Sequence, residues 1–328
     1  MRDSPALATA LAIRARELTK RYGDMLAVDH LNLDVHAGEF FGLLGPNGSG
    51  KTSTIHMLST LIRPTGGTAH IAGHDVSNDG VKVRAAIGVV FQESALDRNL
   101  SAAENLRFAG LLYDLPRAEI KRRSDELLAL FGLTDRRDKP VASFSGGMRR
   151  ALDIARGVIH RPQVLFLDEP TIGLDLPNRK KIWRFIENLR AETGMTVFLT
   201  THYLEEASEC DRVAFIKSGR IVQSGPPHEL VRRLGAFVIE IEADDTDRIA
   251  AELAPRLGHA MMDGERICFR FNGDAAQLAA LQTEFADRIG ALRWRKPNLN
   301  DVFLWVNETS ADCESPAHTP SRDATLQR

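Results

Sequence analysis

Three observations predict an α/β fold built on a mostly parallel sheet, followed by a smaller α/β unit. First, Phe40–Leu44, Ile87–Phe91, Val164–Leu167, Thr196–Thr200 and Val213–Ile216 are continuous apolar or β-branched runs. Runs of that kind suit strands covered on both faces. Second, amphipathic helical patterns lie between them. Ala118–Phe131 carries Ile120, Leu127, Leu128 and Phe131 among charges, with Gly132 as a stop, and Arg179–Arg190 repeats the pattern with Ile182, Trp183, Ile186 and Leu189. Third, the pattern changes after Gly225-Pro226-Pro227, which introduces a last short helix. Beyond it, Phe237–Glu242 alternates as a half-exposed strand does, Asp247–Leu257 and Ala275–Ile289 read as helices, and Arg266–Phe271 and Ala291–Arg295 read as strands. The expected organisation is an N-terminal extension over 1–12, a first domain over 13–234 and a second over 235–308. The tail over 309–328, rich in Ser, Pro, Thr, Asp and Arg, is expected to be disordered.

Composition narrows the function classes. With 328 residues, 43% apolar and 26% charged, the chain can bury two ordinary cores. Lys and Arg number 42 against 44 for Asp and Glu, a formal net charge of −2, which supplies no basic surface for nucleic acid. Cys210, Cys268 and Cys313 lie far apart, which argues against a disulfide scaffold or a cysteine zinc site and fits a reducing compartment. The longest stretch without Asp, Glu, Lys or Arg, Thr193–Leu204, has twelve residues, whereas a bilayer span needs about twenty. Asp3 and Pro5 weigh against reading Ser4–Ile13 as the apolar core of a signal peptide. A cytoplasmic protein is expected.

The chemistry is concentrated in a few segments. Gly45-Pro46-Asn47-Gly48-Ser49-Gly50-Lys51-Thr52 matches G-x-x-x-x-G-K-[ST] between the strand Phe40–Leu44 and a helical pattern over Thr52–Leu61, whose Thr54 is expected to contact the nucleotide together with the loop. Glycines let backbone N–H groups curl around a polyphosphate, and the helix N-terminus adds positive potential. Lys51 would neutralise the β- and γ-phosphates, and the Thr52 hydroxyl would ligate Mg²⁺. The strand Val164–Leu167 runs into Asp168 and Glu169, at the strand end where ligands of open α/β sheets bind. Asp168 suits the magnesium shell, and Glu169 can polarise the attacking water. Gln92 follows its strand and can reach magnesium or water, and His202 follows Thr196–Thr200, within reach of a γ-phosphate. Ser145-Gly146-Gly147 opens another helix, a second anion-binding terminus. Arg149-Arg150 and Lys121-Arg122-Arg123 read as solvated helix faces, while Trp294, Phe303 and Trp305 read as core.

Taken together, Tyr22, Gly45–Thr52, Gln92, Ser145-Gly146-Gly147, Asp168-Glu169, Gly173-Leu174-Asp175 and His202 resemble the motifs of the ATP-binding cassette family in their family order. The resemblance implies a phosphate-loop cassette with a mostly parallel core, an antiparallel β subdomain and a helical subdomain around Ser101–Phe131. It also implies ATP and Mg²⁺, with Tyr22 stacking on the adenine. Two copies would pair head to tail, each ATP lying between one Lys51 loop and the other chain's Ser145 segment, with Asp175 at the seam. Met148 stands where the family most often has Gln, Phe144 where it usually has Leu, and Gly173 where another small residue is commoner. Ser145–Arg150, Leu58–Val76 and Pro297–Leu304 resemble the branch of daunorubicin-resistance-type and nodulation-factor-type exporters. That branch implies an exporter's ATPase subunit, peripheral on the cytoplasmic face of the membrane and docked on a separate integral-membrane permease.

Two other readings use the same residues. A soluble cassette ATPase acting outside transport usually carries two cassettes in one chain or a long coiled-coil insertion, and neither pattern occurs here. A phosphate-loop kinase or GTPase would leave Ser145-Gly146-Gly147 unexplained, and no Asn/Thr-Lys-x-Asp guanine reader follows a strand.

Overall fold

The computed structural model describes residues 10–201, 203–264, 266–273, 275–285 and 288–308. They form two compact units divided between His228 and Glu229.

The first unit opens on two long strands, β1 (Leu11–Tyr22) and β2 (Met25–His36), joined through Gly23 at φ +56°. They pair antiparallel with several register shifts, and Glu17 and His30 adopt positive φ at 50° and 49°. Such bulges let Ile13, Ala15 and Leu18 all point into the core across an otherwise broken alternation. Next come β3 (Phe40–Leu44), α1 (Lys51–Leu58), β4 (Gly66–Ile71) and β5 (His74–Asp75), then α2 (Gly80–Ala86) and β6 (Ile87–Val90). β4 pairs with β1, completing an antiparallel sheet in the order β2-β1-β4-β5.

A helical segment follows, with α3 (Ala102–Leu112), α4 (Arg117–Leu130) and α5 (Gly146–Val158). A capping box starts α3: Glu104 N–H donates to Ser101 Oγ, and the Glu104 carboxylate accepts from Ser101 N–H. Gly110 lets α4 come close, because a Cβ there would meet Ile120 Cγ1 at 2.7 Å.

The parallel core is completed by β7 (Val164–Asp168), α6 (Leu176–Thr193), β8 (Thr196–Thr201), the single turn α7 (Leu204–Ala207), β9 (Arg212–Lys217) and β10 (Arg220–Gly225). Strand order is β10-β9-β3-β8-β7-β6, parallel except where β10 folds back on β9. Every residue of β3, β7 and β8 is buried, as the continuous apolar runs require. Phe198 meets both Phe41 and Phe166 at 5.4 Å between ring centroids. Ile55, Met57 and Leu58 of α1 join these rings to Ile13, Leu18 and Val28, so both sheets of this unit share one core. Each such side chain contributes about 1.5–3 kcal/mol when fully buried.

α8 (Pro227–Arg232) spans the division, and the second unit runs through β11 (Phe237–Glu242), α9 (Thr246–Leu257), β12 (Met261–Asp263), β13 (Arg266–Phe271), α10 (Ala275–Glu284), β14 (Ala291–Arg295) and α11 (Leu299–Glu308). Its sheet is antiparallel, in the order β12-β13-β11-β14. On one face Ile239, Ile241, Ile267 and Phe269 pack with Ile249, Leu253, Leu278, Leu281 and Phe285. On the other, the wholly buried Asp301 of α11 accepts two bonds from Arg295 at 2.7 and 2.8 Å, and Arg295 also donates to Glu240 at 2.5 Å. Trp305 is core, as expected, whereas Trp294 is 55% exposed. It lies on the edge strand β14, where it turns its ring edge to Phe237 instead of entering the core. Cys210 and Cys268 are buried free thiols, and Cys313 and the expected disordered tail lie outside the described residues.

Candidate functional site

β3 ends at Leu44 and the chain turns through Gly45–Gly50 into α1. Two of its glycines are obligatory. A Cβ on Gly45 would come within 2.3 Å of the Ile216 carbonyl oxygen, and one on Gly50, at φ +107°, within 2.4 Å of the Ala27 oxygen. The loop is therefore moulded against strands on either side. Its back is bonded to the β9–β10 turn, where Gly219 N–H donates to Ser49 O and Asp29 N–H to Gly219 O. Ser49 is buried behind the loop. Gly50 caps α1 and has no side chain to satisfy the first-turn N–H groups, which leaves those donors to a ligand. Thr54 lies on the inner side of α1, fully buried, and its hydroxyl donates to Gly50 O at 2.9 Å. It thus braces the loop rather than facing a ligand, a correction to its reading as a nucleotide contact.

Lys51 is only 5% exposed, and its Nζ donates to Gly45 O at 2.8 Å and Pro46 O at 3.0 Å. Burial pushes its pKa down, partly opposed by the charges of Glu169 and Asp168. The ammonium, the two carboxylates and the helix N-terminus thus converge on one place.

A cleft of about 630 Å³ opens there, lined by Asn47, Gly48, Gly50, Lys51 and Thr52 together with Gln92 and Glu169. Gln92 arrives from the end of β6 and Glu169 from the end of β7. Asp168 is buried behind this wall, and one carboxylate oxygen accepts from Thr200 Oγ1 at 2.5 Å. Glu169 sits at φ +48°, a rare conformation for a non-glycine residue, while its N–H donates to Thr200 O at 3.0 Å. Met25, Leu26 and Ala27 of β2 complete one side of the cleft. Tyr22 stands at the end of β1, 42% exposed with Lys20 over its ring, and does not line the cleft. His202 lies outside the described residues.

Ser145, Gly146 and Gly147 are not in this cleft. Ser145 and Gly146 are exposed, and Ser145 Oγ accepts from Met148 N–H at 3.3 Å as the cap of α5. A Cβ on Gly147 would touch Asn178 at 2.8 Å, and Asn178 N–H donates to the Asp175 cap of α6 at 2.9 Å. Ser145–Gly147 and Asp175 thus form one polar surface. Phe144, where leucine is commoner, is simply buried.

Arg150 reverses its sequence reading as a solvated residue, being 8% exposed. It donates to four carbonyls, Pro170 at 2.5 Å, Phe91 at 2.6 Å, Asp168 at 3.2 Å and Glu169 at 3.3 Å. An arginine next to another on a helix gives no signal of this, because its acceptors are backbone atoms distant in sequence. Arg123 is also partly buried and donates to Ile159 O at 2.8 Å. Thr200, within β8, which runs one residue beyond the expected Thr196–Thr200, is the other contributor that sequence reasoning passed over.

The donors facing the cleft are hard oxygens and an ammonium. Among the described residues no group of three or more His, Cys, Asp or Glu could hold a metal ion, and none of their helices is long and apolar enough to cross a membrane.

Residues 28–172 match the sequence profile of the ABC transporter family. A Nod factor export ATP-binding protein I from Cupriavidus pinatubonensis is 40% identical over 302 residues, 92% of this chain and 91% of that protein. The daunorubicin/doxorubicin resistance ATP-binding protein DrrA of Streptomyces peucetius is 40% identical over 315 residues, covering 93% and 94%. Among solved structures, cbiO1 from Clostridium perfringens, part of an ABC transporter complex, superposes with a TM-score of 0.64 at 28% identity, covering 76% of this chain and 96% of that one. The cassette MJ0796, in a dimeric post-hydrolysis state with ADP and Pi, gives 0.60 at 27% identity over 65% and 98%. With that likeness along nearly its whole length, and a phosphate-loop cleft in the first unit, the chain belongs to the ABC transporter family as an ATP-binding, ATP-hydrolysing subunit.

Proposed function

We propose that the cleft over Lys51 takes Mg·ATP and that hydrolysis there drives export by a separate integral-membrane permease. The observation that carries this reading is the convergence of Lys51, Gln92 and Glu169 on one cleft at an uncapped helix N-terminus. Gly45–Thr52 hold the phosphates by backbone N–H groups and by Lys51, whose ammonium exchanges its carbonyl partners for phosphate oxygens. Thr52, Gln92 and Asp168 are the residues that would hold Mg²⁺, an all-oxygen set of the kind that cation prefers alongside substrate phosphates. The ion supplies charge neutralisation on those phosphates. Glu169 accepts the proton of the attacking water. Tyr22 bears on the adenine, and His202 on the γ-phosphate.

The exposed cap of Ser145, Gly146 and Gly147, with Asp175 beside it, closes over the Lys51 cleft of a second copy, so that two chains bury two ATP molecules. MJ0796, solved as a dimer, supports this arrangement. The names of the relatives, Nod factor export and daunorubicin/doxorubicin resistance, support an export role; an amphiphilic drug-like or glycoconjugate cargo and a place on the cytoplasmic membrane face belong to that reading. Sedimentation of the Glu169→Gln chain tests the pairing. It is expected to move from monomer to dimer on adding Mg·ATP; a chain that stays monomeric while wild type hydrolyses ATP at full rate would overturn the shared site.

A further inference from the structure

Arg150 occupies a place where two parallel strands part company. β6 and β7 remain paired as far as Val90 opposite Leu167. Beyond that point Phe91–Gln92 goes one way, while Asp168–Pro170 goes another through the positive φ of Glu169. Four carbonyl oxygens at this fork receive bonds from a single guanidinium. Buried carbonyls without donors are costly, and a planar fork with five N–H groups can serve all four at once, one more than the three donors of an ammonium could reach. The nearest carboxylate, Asp153, lies 3.9 Å away, well outside hydrogen-bond reach, so the carbonyls are its true partners. Arg150 belongs to α5, the helix that Ser145 caps. The same rigid helix therefore carries the exposed serine cap at its tip and, little more than one turn on, the clamp that holds both strand ends lining the cleft.

We infer that Arg150 is a positioning residue that couples the Ser145 cap to Gln92 and Glu169, so that docking of the cap on a second copy aligns the catalytic carboxylate of its own chain. This rests on the proposed nucleotide-sandwich function and adds to it a route by which one site reports to the other. The route is physical: a helix that shifts as a body drags four hydrogen-bonded carbonyls, one immediately before Gln92 and one on Glu169 itself. Misalignments of about 1 Å at a reacting group can cost on the order of a hundredfold in rate.

The test compares the full-length wild type with Arg150→Gln, Arg150→Lys, Ser145→Ala and the Ser145→Ala/Arg150→Gln double variant, measuring kcat and KM for ATP, ATP affinity in EDTA and melting temperature. Arg150→Gln is expected to lower kcat about ten- to a hundredfold, with ATP affinity within about threefold of wild type because the Lys51 loop is untouched. Arg150→Lys should fall between the two. The double variant should be no slower than its slower parent, since both changes break one route. The inference is overturned if the folded Gln variant turns over at the wild-type rate, if kcat and ATP affinity fall together with melting temperature, or if the two single effects multiply. Should the Gln variant not fold, the Lys variant decides: reduced kcat with intact affinity upholds the coupling, and a full rate overturns it. A wild-type chain that fails to hydrolyse ATP, with Lys51→Ala indistinguishable from it, would instead bring down the underlying function.

Discussion

Two glycine-rich helix starts in this chain look alike in sequence and differ in every physical respect. At the Lys51 loop the cap is a glycine with no side chain to spend on the first turn, the lysine is buried, and an acidic wall faces it across the cleft. At Ser145 the cap satisfies its own helix through Met148 N–H, the surface is open, and the acidic neighbour, Asp175, is itself engaged in capping α6. The first holds both signs of charge needed to bind and cleave a phosphate. The second offers donors but neither a buried cation nor a water-activating carboxylate. In the function proposed above, the first start is a site and the second completes the site of a second copy.

Substitutions at the two starts should separate these roles, the largest effect falling on the first. Lys51→Ala removes the cation from the cleft and is expected to lower ATP hydrolysis by at least about a thousandfold, measured as phosphate release; residual activity near wild type would show that the loop amides suffice. Glu169→Gln should keep ATP binding and slow turnover by at least about a hundredfold, the scale of a lost general base. At the second start, Ser145→Arg should depress turnover by at least about tenfold, equivalent to 1.4 kcal/mol, while single-chain ATP affinity is unchanged. Loss of affinity as well would mean that the cap belongs to its own chain's site.

The smallest effect concerns the far end of the Ser145 helix. His160 Nε2–H donates to Ile87 O at 2.8 Å, and its ring stacks on Tyr113 at 3.6 Å. Burial, the main cause, lowers its pKa to about 4. Because the folded chain then takes up fewer protons than the unfolded one, stability should be full above about pH 6.5 and decline as pH falls toward 4. Melting curves across that range should be flatter for His160→Gln than for wild type; parallel curves would remove His160 from this role.

Much of the parallel core was legible because strands buried on both faces leave continuous apolar runs, and β11 and β13 because half-exposed strands alternate. The phosphate loop announced itself through glycines that two neighbouring strands make obligatory. β1 and β2 escaped notice for a physical reason. Their bulges at Glu17 and His30 break the alternation that marks a strand, and their pairing with each other and with β4 is what keeps them extended. α11 was not read as a helix although Leu299, Val302 and Trp305 give it an apolar stripe; its start is fixed by Arg295 on the buried Asp301, a contact from the neighbouring strand that no local pattern announces. Arg150 was the plainest misreading: on a helix with a clear apolar face, a charged residue reads as solvent-facing until its carbonyl partners are known.

The stitching of the loop's back to Ala27, Asp29 and Gly219 has a further consequence. Three stretches of chain, the last nearly two hundred residues from the first, must already have met before the nucleotide cradle exists. A nascent chain would therefore acquire ATP affinity only once β9 and β10 have been synthesised and docked. From then on nucleotide holds them there, raising stability by mass action and shielding this seam from proteases in proportion to its concentration.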